Sequence, residues 1–211
     1  MQLAELTVRG FADLLGSDAP APGGGGAAAA LAGALGAALT AMVGSLTVGR
    51  KKYAEFDGLA RETLEKARDL EHRFLDVMER DTEAFNAVSA VFAMPKGTDQ
   101  EKEARAAAMQ EALQGCTKTP FEMMELSLEA LRLTDGLVDR SNASAASDLG
   151  CAALHLGSAV QGAWLNVLIN LGSIRDAAFA AQYRTRGQIL LDEALPLAQS
   201  IYDRVLKAVQ G

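Results

Sequence analysis

The sequence predicts an all-α fold, a multihelical bundle built around long central helices that are partly Ala- and Gly-rich. Three observations carry that expectation. Two long segments, residues 27–48 and 149–174, contain no Asp, Glu, Lys or Arg. Elsewhere apolar residues recur at spacings of three, four and seven, the period of a helix face. No segment alternates apolar and polar residues between hairpin turns, as a half-buried strand would. Two uncharged helices belong at the centre of such a bundle, with amphipathic helices around them.

Taken in order, a first short helix carries Val8, Phe11, Leu14 and Leu15 and is stopped by Gly16. Residues 17–21 form a loop into Pro22-Gly23-Gly24-Gly25-Gly26, which opens directly into the Ala-rich helix. Small residues at Ala29, Gly33, Ala37 and at Ala32, Gly36, Thr40 let a neighbouring backbone approach closely. Gly49 suits the position just past the helix end, and Arg50, Lys51 and Lys52 suit its negative dipole end. A much longer helix runs from about Glu55 to Phe92 and ends at the Met94-Pro95-Lys96-Gly97 turn. Thr98 with Glu101 reads as a capping box, and Thr119-Pro120 with Glu122 as a second helix start. Ser147 caps the second uncharged helix, and an amphipathic stretch from about Arg186 to Gln210 is kinked or divided at Pro196.

Composition narrows the function classes. At 211 residues and 49% hydrophobic, the chain can bury one substantial core, so a single domain over 1–211 is expected. A formal charge of −7 and the lack of a long basic run argue against nucleic acid as a partner. Cys116 and Cys151 show no CxxC spacing and the opening Met1-Gln2-Leu3-Ala4-Glu5 is no secretory signal, which points to a reduced cytoplasm. The uncharged segments are long enough to cross a bilayer. The first, however, is mostly Ala and Gly, and the second carries His155, Gln161, Asn166 and Asn170, so both are expected to be buried in a soluble protein with no membrane partner. Cys151 with His155, and His72 with Asp76, each supply only two ligands, and no metal site is expected. No strand precedes the glycines and no P-loop Lys follows them, and a nucleophile elbow is absent.

Three features carry chemistry. Consecutive glycines at a helix mouth, Gly24 and Gly25 among them, expose backbone N–H groups to an anion or polar ring. Asp81 falls on the apolar stripe made by Ala67, Leu70, Phe74, Met78, Phe85, Val88 and Phe92. Burial there raises its pKa, which suits a general acid or base or a partner for a cationic ligand; a structural pair with a buried Arg or Lys fits the pattern equally. Asn142, Ser144, Ser147 and Asp148 form a polar group before the second uncharged helix, suited either to ligand binding or to a capped turn.

Together these pieces resemble the cyclodeaminase/cyclohydrolase family of folate enzymes. The likeness rests on Ser17-Asp18 followed by Pro22-Gly23-Gly24-Gly25, Met42-Val43 and Leu46-Thr47, and Gly49 with Lys51-Lys52-Tyr53. It continues through Asp81-Thr82-Glu83-Ala84-Phe85, Met94-Pro95-Lys96, Ser147-Asp148, Asn166-Val167 and Asn170-Leu171. Gly26 departs from it, standing where the family often has Ser, and Ser141-Asn142-Ala143-Ser144 lacks the expected Gly-Asn pairing. The resemblance implies a multihelical, usually dimeric fold with a tetrahydrofolate site at the glycine-rich loop and no metal or redox cofactor. Members either hydrolyse 5,10-methenyltetrahydrofolate to the 10-formyl form or cyclise 5-formiminotetrahydrofolate with loss of ammonia. On that footing Asp81 and Lys51 or Lys52 are the expected catalytic groups. Pro22, Gly23, Gly24, Gly25, Asn142 and Asp148 are the expected substrate contacts.

Overall fold

The computed structural model describes residues 2–18 and 24–211. Pro22 and Gly23 lie outside the described residues. The described part is a bundle of six helices: α1 (Val8–Leu15), α2 (Gly24–Thr47), α3 (Asp57–Phe92), α4 (Asp99–Leu137), α5 (Ala146–Leu171) and α6 (Ala177–Gln210). Short 3₁₀ turns occupy Leu3–Glu5, Lys51–Phe56 and Ala143–Ala145, and no strand occurs among the described residues.

Helix α2 lies between α3 and α5 and is backed by α4, while α6 covers the far side of α5. Its small residues explain how closely it is held. A Cβ added at Gly33 would enter the ring of Phe74, and one at Gly36 would lie 3.1 Å from the Ala152 carbonyl. Helix α5 runs antiparallel to α2, so that Gly25 faces Asn166 at one end and Thr47 meets Asn142 at the other. Phe74, Leu70, Met78, Met123, Met124, Leu131 and Leu156 are fully buried around this centre. Each such side chain contributes about 1.5–3 kcal/mol through removal from water. The polar groups inside are paired: the hydroxyls of Thr40 and Thr134 are 2.7 Å apart. Helix α2 and residues 143–171 have the length and hydropathy to cross a membrane, and 61% and 50% of their most apolar windows are buried within the bundle.

The capping box at Thr98 and Glu101 forms as expected. Three local expectations are corrected. Helix α4 does not restart at Thr119-Pro120 but runs unbroken from Asp99 to Leu137. Proline at 120 has no N–H for the Cys116 carbonyl, and Asn170 of α5 supplies one instead, its Nδ2 donating to that oxygen at 2.7 Å. Tertiary packing thereby repairs what local sequence breaks. Helix α6 begins at Ala177, capped by Asp176, whose carboxylate accepts from the Phe179 N–H, and it is continuous through Pro196. Ser147 lies within α5 and caps nothing; Asn142 caps the preceding 3₁₀ turn through a 3.1 Å bond from the Ser144 N–H.

Candidate active site

The N-terminus of α2 ends against three helices at once, and Asp81 sits at that junction. One turn of α3 after Met78, its side chain lies on the stripe facing α2 and α4, half-buried rather than fully enclosed. Its Oδ1 accepts a 2.9 Å hydrogen bond from the Thr119 hydroxyl of α4. Its Oδ2 lies directly over the Cα of Gly26, so closely that any Cβ there would collide with it. No cation pairs with Asp81 among the described residues; the neighbouring Arg80 turns away into a bidentate pair with Glu122, both bonds 2.8 Å. Burial therefore holds the Asp81 carboxyl above the ordinary carboxylate range, and the Thr119 bond only partly opposes it. The structural ion pair that the pattern allowed is not what the carboxylate makes.

The surrounding side chains are polar but uncharged. Asn166 of α5 faces Gly25, where an added Cβ would lie 3.3 Å from its Nδ2, and that nitrogen donates to the Gly162 carbonyl at 2.8 Å. Asn170 follows one turn later. Cys116 of α4 is buried, and desolvation together with the Asp81 charge pushes its thiol up to about 11, so it is a neutral thiol at physiological pH. With first-turn backbone N–H groups of α2 that have no partner within the helix, and the positive end of its dipole, the half-buried recess around Asp81 suits a polar ligand beside a poorly hydrated acid.

The remaining sequence-expected residues lie at the opposite end of the bundle. Asp81 is 24 residues along α3 from Asp57, about 36 Å at the helical rise. Lys51 and Lys52 fall in the 3₁₀ turn before Asp57, so one chain does not bring either lysine to Asp81. Asn142 is occupied structurally: its N–H donates to the Thr47 hydroxyl at 2.9 Å and its Nδ2 to the Leu46 carbonyl at 3.3 Å. Asp148 lies in the first turn of α5, at that same end. This end has its own cluster. The Tyr53 hydroxyl accepts from the Ala143 N–H at 3.0 Å, and Lys52 Nζ stands 5.3 Å from the Tyr53 ring. The Ala143 N–H first, and Lys52 after it, hold the phenol below its ordinary pKa. Lys52, Tyr53, Ser141 and Ala143 line a cavity of about 520 Å³.

Thr119, Asn166, Asn170 and Cys116 join the site without having been singled out as contacts. The signal for the asparagines was present: two amides one turn apart in an otherwise apolar helix require buried partners. Thr119 was concealed by the proline after it, which reads locally as a helix start. No group of three or more His, Cys, Asp or Glu among the described residues is placed to hold a metal ion.

Fold and site together define an all-α protein with a desolvated acid set against a glycine-rich helix mouth. The chain belongs to the formiminotransferase-cyclodeaminase family, whose profile matches residues 7–188. It is 40% identical over 203 residues to a methenyltetrahydrofolate cyclohydrolase of Methylorubrum extorquens, covering 96% of this chain and 97% of that protein. It is 37% identical to the formimidoyltransferase-cyclodeaminase of Sus scrofa, and there it spans 37% of the longer protein. The crystal structure of formiminotetrahydrofolate cyclodeaminase from Thermotoga maritima superimposes with a TM-score of 0.81 at 27% identity, covering 99% of this chain and 98% of the other.

Proposed function

We propose that this protein hydrolyses 5,10-methenyltetrahydrofolate to 10-formyltetrahydrofolate, with the Asp81 recess as the place where the one-carbon bridge reacts. The observation that carries this is the unpaired, half-buried carboxylate at the mouth of α2, in a chain 40% identical over nearly its whole length to a cyclohydrolase. The methenyl bridge is a delocalised cation, and a poorly hydrated carboxylate stabilises it and orients the attacking water. Water adds to the bridge carbon and loses a proton to base, giving a neutral carbinolamine. The bond from that carbon to N5 then breaks as N5 gains a proton and the hydroxyl loses one, leaving the formyl group on N10 and one net proton released. Backbone donors at Gly24 and Gly25 hold a polar part of the folate, and no metal or redox cofactor takes part.

The protein acts as a cytoplasmic homodimer with no membrane partner in this reading. The outer faces of α2 and α5 expose Leu35, Met42, Leu46, Leu154, Leu165 and Ile169, the last two at 68% and 75%, on segments free of charge. A two-fold pairing through this face, with its axis perpendicular to α2, sets α2 antiparallel to its copy. Lys51 and Lys52 of one subunit then stand at the Asp81 recess of the other, where either can deliver the proton to N5. Asn142 and Asp148 arrive at the recess with them.

Loss of methenyl absorbance above the spontaneous rate, with no ammonia from formiminotetrahydrofolate in a parallel assay, is the expected result. Ammonia release with methenyl formation would instead establish the cyclodeaminase reaction, the second reading, which the Thermotoga maritima structure and the Sus scrofa protein favour. Mixing an inactive Asp81→Asn subunit with an inactive Lys51→Ala/Lys52→Ala subunit should restore activity, because one of the two recesses in the mixed dimer is intact. No recovery would place the lysines outside the site.

A further inference from the structure

Lys51 and Lys52 are neighbours in sequence, yet their surroundings differ. Both lie in the 3₁₀ turn Lys51–Phe56, where successive side chains leave the axis about 120° apart. The two lysines therefore set out in different directions, and what each meets there decides which of them is held.

Lys52 is the one that meets a partner. Its Nζ stands 5.3 Å from the centre of the Tyr53 ring, whose quadrupole attracts a cation. That ring is fixed at its far end, because the Tyr53 hydroxyl accepts from the Ala143 N–H at 3.0 Å. Ala143 in turn follows Asn142, which is fastened to the end of α2 through Thr47 and Leu46. Tyr53 departs from helical geometry, at φ −118° and ψ 22°, so the turn bends at the residue that carries the ring. Lys51 makes no hydrogen bond, ion pair or ring contact among the described residues.

The cavity of about 520 Å³ beside Tyr53 sharpens the difference. Lys52 lines it with Tyr53, Asp139, Ser141 and Leu149, and Lys51 does not. Ser141 is 8% exposed, and its hydroxyl meets no partner among the described residues. Asp139, the one carboxylate of the lining, lies 3.5 Å from Arg204 instead of pairing with Lys52. An ammonium that no carboxylate neutralises, on a stem braced by an aromatic ring, offers its protons from a defined place.

We propose that Lys52, rather than Lys51, is the proton donor to N5 and that Tyr53 is its positioning residue. The proposal rests on the folate reading and the two-fold pairing above. In the carbinolamine the bond from the bridge carbon to N5 breaks, its electron pair stays on N5, and N5 takes a proton from the Lys52 ammonium. The hydroxyl on that carbon loses its proton to base and becomes the formyl oxygen, and the Lys52 amine regains a proton from solvent. Tyr53 acts through the lysine, by restricting where its long side chain goes.

The test compares Lys51→Ala, Lys52→Ala and Tyr53→Leu in the full chain, with Tm and dimer content checked against wild type. Lys52→Ala should lower kcat for methenyltetrahydrofolate by about 100-fold or more with KM little changed, and the loss in Lys51→Ala should be smaller by at least about tenfold. Methylammonium should restore turnover to Lys52→Ala, read as 10-formyltetrahydrofolate formed, and leave wild type unmoved; a lysine with a structural role alone gives no such rescue. Tyr53→Leu should lower kcat by about tenfold in the wild-type background and have no further effect in Lys52→Ala. Equal losses in the two lysine variants, or no methylammonium rescue, overturns the assignment of Lys52. A Tyr53→Leu loss that persists undiminished without Lys52 overturns the positioning role. If wild type is active and Lys52→Ala matches it, the assignment falls alone; if wild type hydrolyses no methenyltetrahydrofolate, the cyclohydrolase reading falls and the assignment with it.

Discussion

Replacing Gly26 by Ala should cripple the enzyme while leaving it folded. The added Cβ would overlap Asp81 Oδ2 outright and sit 2.9 Å from the carboxyl carbon and 3.3 Å from Oδ1. Ordinary contact begins at 3.4 Å, so the carboxyl carbon must retreat by at least 0.5 Å and the nearer oxygen further. The 2.9 Å bond from Thr119 does not survive that rotation. Losing a hydrogen bond to a charged group costs about 1.5–3 kcal/mol. The better helix propensity of Ala over Gly returns at most about 1 kcal/mol. The net loss of about 0.5–2 kcal/mol corresponds to a Tm lower by roughly 1–8 °C for a chain of this size. Turnover suffers more, because displacing a catalytic group by about 1 Å costs on the order of 100-fold. Methenyl absorbance under saturating substrate reads kcat, and calorimetry reads Tm. Gly58→Ala is the control: nothing lies within 4 Å of its Cβ, so it should lose neither stability nor rate. A Gly26→Ala protein with wild-type kcat and Tm would refute the idea that this glycine exists to admit the carboxylate.

Asp81→Asn should lower kcat by about 10²–10⁴-fold yet not destabilise the protein at neutral pH. A carboxyl whose folded pKa is raised contributes stability that is fully present below its unfolded value near 3.8 and is lost as pH rises through the folded value. Asn lacks that titration, so urea melts should show the variant gaining on wild type as pH is raised from 3 to 7. Thr119→Val removes the donor that holds the charged form, so the acidic limb of the kcat profile should move to higher pH; an unmoved limb would take Asp81 out of that titration. Asn170→Leu should cost about 1–3 kcal/mol by stranding the Cys116 carbonyl, and much less in a Pro120→Ala background, where the backbone N–H regained at position 120 takes over; equal costs in both backgrounds would dismiss the repair.

Much of the bundle was legible from punctuation and period. Gly16 ends α1, the Met94–Gly97 turn separates α3 from α4, and the Thr98 box opens α4, because each acts through bonds to neighbours within a few residues. At Pro120 a local breaker was overruled by a partner distant in sequence, and Pro196 likewise does not divide its helix. The site divided in the same way. Asp81 announced itself as a charge on an apolar stripe, and the glycines as an uncovered helix mouth. Thr119 gave no such signal, since a hydroxyl in a helix is ordinary until the packing shows what it faces, and the amide of Asn166 signalled a need for buried partners without saying which. The distance from Asp81 to Lys51 and Lys52 was implicit in the predicted helix from Glu55 to Phe92, whose length alone sets the two ends far apart.

The unbroken course of α4 through Pro120 also bears on how the chain acquires its shape. As an isolated peptide, α4 would fray around 116–120, because the amide that closes that turn belongs to Asn170. The second half of α4 carries Met123, Met124 and Leu131, among the most deeply buried side chains of the core. The C-terminal half of α4 and the docking of α5 therefore become steps of one event, and the Asp81 recess, which needs Thr119 from that same turn, is completed only when the event is over.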